Sequence, residues 1–205
     1  MALSLVAVGQ KITAALWNAS INAINSNGLT GIIPASVVGT GLTVGTNGQV
    51  SFSGSGTFSL NGCFTTQFDN YLIQMDVSTK SAGGLVQARL RLAGTDAIGA
   101  TDYAAETQTA TGAVVATAAS TASLFSLTAT SSAVEDQVSV TIAAPALARA
   151  TRLTSTSTST ISGTSLGTGL VSARHALSTA YDGITFIASA GLIYGNVRIY
   201  GYNNN

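Results

Sequence analysis

Few residues in this 205-residue chain could do acid, base or nucleophilic chemistry. His175, in "SARHALS", is the only histidine. A serine nucleophile needs such a base with an orienting carboxylate behind it, yet no "GxSxG" turn exists to present a serine. The carboxylates are Asp69, Asp76, Asp96, Asp102, Glu106, Glu135, Asp136 and Asp182. Glu135 and Asp136 are adjacent, so on a strand they point to opposite faces. A glycosidase pair would have to be assembled from positions far apart in the chain. Cys63 is the only cysteine and reads as a small buried apolar residue. One chain therefore offers neither a disulfide nor a structural zinc set. "GTGLTVGTNG" (39–48) is glycine-rich but lacks the lysine and the following helix of a phosphate-binding loop. No catalytic residue, cofactor or metal site is expected. Among the tyrosines, Tyr71, Tyr194 and Tyr200 lie in or beside expected strands, as core or interface positions. Tyr103 and Tyr181 sit beside Asp102 and Asp182 in expected loops and are the candidate receptor contacts.

Composition points to assembly. Only 8% of residues are charged and the net charge is zero, against roughly a quarter charged in an average globular protein. Nothing favours nucleic acid or an anionic membrane surface as a partner. A surface of Ser, Thr, Asn, Gln, Gly and Ala resists association weakly, because like-charge repulsion is what keeps monomers apart. Lys11 is the only charged side chain before Asp69. The Ile, Val, Leu and Phe content of that stretch argues against a solvated tail. "MALSLVAV" is short, with no preceding basic residue, so a secretory signal is not expected. "GLTGIIPASVVGTGLTV" (28–44) is broken by Gly28, Gly31, Pro34 and Gly39 and is not read as a membrane span.

Three segments would position these residues. The first, 1–30, holds "ITAALWNASINAIN" (12–25), read as an amphipathic helix with Thr13 as cap and Gly28 as stop. Trp17, Ile21 and Ile24 form its apolar stripe, widened by Leu16 and begun by Ile12. Roughly 15 residues of isolated helix are marginal in water, so this stripe is expected to dock on a neighbouring subunit or in a symmetric bundle. Packing on its own domain is the alternative. The second, 31–62, reads as an extended Gly/Ser/Thr-rich arm with short hairpins. Its β-prone runs are Val37-Val38, Leu42 to Val44, Val50 to Phe52 and Phe58 to Leu60, with a tight turn at Asn47-Gly48. The third, 63–205, reads as an antiparallel β-sandwich, jelly-roll-like. Its strands are "NYLIQMDVS" (70–78), "LVQARLRLAG" (85–94), "SLFSLTAT" (123–130), "DQVSVTIAAP" (136–145), "GITFIAS" (183–189) and "GNVRIYGYN" (195–203). Ala88, Leu90 and Leu92 share one face, and Val197 and Ile199 point inward. "RLTSTSTSTISGTS" (152–165) suits a strand with Thr on one face and Ser on the other; a flexible loop is the alternative.

"FTTQFDNYLIQMDVS" (64–78), "LRLAGTD" (90–96) and the closing "GNVRIYGYNN" (195–204) together resemble small structural proteins of tailed bacteriophages, especially those of actinobacteria. "VGQKITAALWNASINAIN" (8–25) is similar to the start of phage minor tail and fibre proteins, and "PASVVGTGLTVGTNGQVSFSG" (34–54) to their linkers. The resemblance implies a non-enzymatic virion component, commonly a homotrimer, with an anchoring N-terminus and an outward β-domain. Its partners would be other copies of itself, other tail or capsid proteins, and a host cell-surface glycan or protein. A minor tail protein with a receptor-binding tip is the preferred reading. A capsid decoration or head-fibre protein is the alternative, and a polysaccharide-degrading tail enzyme the least favoured.

Overall fold

The computed structural model describes residues 29–112, 114–131, 134–162 and 165–203. The expected helix, with Ile12, Leu16, Trp17, Ile21 and Ile24, lies outside them. The described residues are mainly strand and contain no helix. In chain order the strands are Thr30–Ile32 (β1), Ser36–Gly39 (β2), Leu42–Val44 (β3), Val50–Ser55 (β4), Thr57–Asn61 (β5), Asn70–Lys80 (β6), Val86–Leu92 (β7) and Thr95–Asp96 (β8). They continue with Tyr103–Thr111 (β9), Val114–Ala122 (β10), Phe125–Ser126 (β11), Glu135–Ala143 (β12), Thr151–Ser162 (β13), Ser165–His175 (β14), Gly183–Ala188 (β15) and Ile193–Tyr202 (β16).

Two antiparallel sheets share one apolar core, a sandwich-like arrangement. The larger runs β10-β9-β14-β13-β12-β6-β16-β4-β3, with β1 also on β16; the smaller runs β11-β7-β15-β5-β2, with β8 also on β7. Alternation sets the faces. On β6, Tyr71, Ile73, Met75 and Val77 are buried while Gln74 is exposed. On β12, Asp136, Val138, Val140 and Ile142 are buried and Gln137 is exposed. The sheets meet through Phe52, Phe58 and Phe186, with ring centroids 4.9 and 5.1 Å apart. Each fully buried phenylalanine contributes roughly 1.5–3 kcal/mol.

The runs expected in residues 31–62 are indeed strands, and Asn47-Gly48 turns β3 into β4: Gly48 has φ 80° and donates its N–H to Gly45 O at 3.0 Å. Their placement corrects the expectation of an arm. β1, β3 and β4 belong to the larger sheet and β2 and β5 to the smaller, and Val50, Phe52, Phe58 and Leu60 are core residues. Much of the apolar content of this segment is buried inside its own domain, while Ile33, Val38 and Val44 stay exposed.

The Ser/Thr repeat is a strand. Thr151, Leu153, Ser155, Ser157 and Ser159 face in, and Arg152, Thr154, Thr156 and Thr158 face out. Serine suits the inner face because a single strip of chain after β11 lies directly on it. Ser155 Oγ donates to Leu127 O at 2.6 Å. On neighbouring β14, a Cβ at Gly169 would come within 2.7 Å of Ala129 Cβ, so larger residues would push that strip away. The expected strands do not include the long β9, β10 and β14 or the short β1 and β8. Every residue of β10 from Val114 to Thr121 is exposed, so no polar/apolar alternation marks it.

Candidate functional site

The outer face of the larger sheet curves into an open trough of about 960 Å³. Register places its floor in two rungs that cross seven strands, from β10 through β9, β14, β13, β12 and β6 to β16. One reads Gln108, Leu170, Thr156, Ser139, Gln74, Arg198, continued outside the trough by Thr117 of β10. The next reads Val115, Ala110, Thr168, Thr158, Gln137, Asp76, Asn196. At a spacing of about 4.8 Å per strand the rungs extend roughly 29 Å. Each element supplies alternate residues, because successive side chains of a strand point to opposite faces and those between are turned toward the core.

At the β16 end the polar groups are held in place. Arg198 Nη2 donates to Gln49 Oε1 at 2.9 Å and Nη1 to Tyr200 Oη at 3.3 Å. Gln74 Nε2 donates to Ser139 Oγ at 2.7 Å. At the β10 end Val115 and Leu170 add apolar surface, Val115 being 63% exposed. Amides and hydroxyls supply both donors and acceptors, and Tyr200 brings an aromatic ring. The trough can therefore hold a neutral, hydroxyl-rich ligand by many single hydrogen bonds. Its two charged groups, Asp76 and Arg198, are of opposite sign.

The candidate residues read from sequence fall elsewhere. Tyr103 and Tyr181 are 1% and 4% exposed. Their expected role as receptor contacts is corrected: neither ring is presented at the surface. They enclose His175, with ring centroids 4.4 Å (Tyr103) and 5.1 Å (Tyr181) from the imidazole. Tyr103 Oη donates to Ala97 O at 2.9 Å and accepts from Leu90 N–H at 3.1 Å, which secures β9 to β7. Burial pushes the Tyr103 hydroxyl up and lowers the proton affinity of His175; Asp102 opposes the latter shift. Cys63 is buried, and burial raises its thiol well above the ordinary range. Tyr71 is a core residue whose Oη donates to Thr65 O at 2.7 Å, and Tyr200 alone of the tyrosines singled out lines the trough.

Glu135 and Asp136 do point to opposite faces: Glu135 is exposed and Asp136 is buried. Among the described residues no group of three His, Cys, Asp or Glu is placed to hold a metal ion. What the sequence reading missed is the trough, because its residues are single polar positions on seven strands. Only the strand registers bring them together. No protein-family model matches the chain, and no curated protein is significantly similar to it.

Proposed function

We propose that this chain is a non-enzymatic structural protein of a bacteriophage virion, a minor tail protein whose N-terminal segment anchors it while the β-domain binds the host surface. The trough carries the reading. Its amide- and hydroxyl-rich floor, whose two charges are of opposite sign, suits a neutral cell-surface glycan, and its length accommodates several sugar units. In this proposal the sandwich is jelly-roll-like, the chain is a homotrimer, and a bundle of the 12–25 helices buries the Trp17 stripes of three copies together. The low charge supports such assembly, since burial of apolar surface at roughly 25 cal/mol per Å² is opposed by little like-charge repulsion.

The test is binding of the purified full chain to host cell-wall glycan. Arg198→Ala should weaken it at least about tenfold, as loss of a charge-assisted contact costs about 1.5–3 kcal/mol. Equal binding by the variant and the parent would overturn the trough as the receptor site. Labelling of intact particles with antibody-gold separates addresses: a few grains at the tail tip support this reading.

A capsid decoration or head-fibre role is the second reading. It is favoured by β10, a nine-residue edge strand exposed on both faces and free of charge and proline. Such an edge is open to pairing with another subunit. Grains scattered over the head, at high copy number, would select it. A tail enzyme is the third. Release of sugar from host polysaccharide, lost in Asp102→Ala or Glu106→Ala, would establish that reading instead.

A further inference from the structure

We propose that Lys80 and Asp136 are a modification site, condensing after folding into an intramolecular isopeptide bond. Lys80 closes β6 and Asp136 is the second residue of the adjacent β12, where it sits opposite Val77. Both side chains face the core, 1% and 0% exposed, with Nζ in direct contact with Oδ2. Nζ also donates to Gly84 O at 2.7 Å. Neither Asp136 oxygen has a hydrogen-bond partner beyond this ion pair.

Burial acts on both ends of the reaction. In water an amide is drawn toward hydrolysis because the amine and acid it releases ionise and are hydrated. In a dry core that hydration is gone, and a charge pair with few other partners is expensive to hold. The ammonium proton can pass to the carboxylate, which leaves a neutral amine against a neutral acid. The Nζ lone pair then attacks Cγ, the Nζ–Cγ bond forms, and one Cγ–O bond breaks. That oxygen leaves as water, carrying the acid proton and one amine proton. The product bears no charge, and its single N–H already has an acceptor in Gly84 O. Ser159, directly opposite Asp136 on β13, is buried, and its hydroxyl has no partner, so it is placed on the same inner face to serve the carbonyl oxygen. Arg91–Asp96 is a contrast. There the side chains are 10% and 22% exposed, Arg91 Nη1 also donates to Ser59 and Thr185, and a guanidinium does not condense in this way. The bond would tie β12 to β6 in a chain with no possible internal disulfide.

The experiment is the denatured intact mass of the folded, full-length chain, followed by protease digestion and fragment sequencing. The expected result is a mass lower by one water than the sequence requires, with the loss mapped to a branched peptide joining Lys80 and Asp136. Asp136→Asn should reach the same cross-linked mass by losing ammonia, and Asp136→Ala should show no loss. A parent chain at its full mass overturns the proposal, as does a loss of water that maps elsewhere. The parent mass and peptide map decide the matter even if a variant fails to fold, and neither depends on what the trough binds.

Discussion

His175 is fully buried between two tyrosines, which disfavours its charged form. Its proton affinity is lowered from the ordinary value of 6.5, first by burial and in opposition to the nearby Asp102. A depressed folded value means that protonation favours the unfolded chain. The stability linked to this residue is therefore complete above 6.5 and is lost as the pH falls from there through the folded value. Urea midpoints should drop between about pH 7 and about pH 5, and His175→Phe should flatten that slope. An unchanged slope in the variant would assign the loss to other groups. Cys63 follows the same logic with opposite sign: burial holds the thiol protonated, and the thiolate is the reactive form. Iodoacetamide should label it only after denaturation, whereas rapid labelling of the native chain would contradict the buried position.

At the scale of elements, the β6–β16 contact contains an irregularity that only glycine can fill. Tyr194 pairs with Thr79 and Gly195 with Val77, so Ser78 is the extra residue of a bulge. Gly195 has φ 151°, and a Cβ there would lie 1.9 Å from Asp76 O. Gly195→Ala must force the two central strands apart, at a cost of about 3 kcal/mol or more, measurable by urea unfolding. Gly169→Val should also destabilise, by about 1–3 kcal/mol of overpacking against Ala129 and Ser157. β10 behaves differently, because its side chains bury little. Substitutions such as Ala118→Thr should change stability by less than about 0.5 kcal/mol, while Ala118→Pro removes an N–H from the nine-pair register with β9.

For the whole molecule, the unequal size of the two sheets matters most. The six-stranded sheet cannot cover a ten-stranded one. At β10 the larger sheet is left exposed on both faces, and the strip after β11 covers part of the sheet further in. The same overhang gives the outer face the width that makes a trough. Sedimentation of the full chain should show three copies in the proposed trimer, and removal of residues 1–30 should leave a folded β-domain that dissociates. A truncated chain that stays trimeric would place assembly in the β-domain itself.

Much of the β-architecture is legible in the sequence, for local reasons. Period-two alternation in 70–78, 136–145 and 195–203 follows from one face being buried, and it is written residue by residue. Asn47-Gly48 marked its turn because Gly48 takes a positive φ at no steric cost. The Ser/Thr repeat carried its own two faces, since a strand must send odd and even residues to opposite sides. The rest was decided by contacts between residues far apart in sequence. Residues 31–62 look like an arm locally, yet their apolar side chains complete a core supplied mostly by later strands. Tyr103 and Tyr181 stand next to carboxylates in the chain but turn inward around His175, and nothing in their neighbours specifies that. The trough exists only as a register across seven strands, and Lys80 meets Asp136 only because β6 and β12 pair. Local sequence determines the period and the turns; which faces meet is settled by long-range burial, which minimises exposed apolar surface over the entire fold.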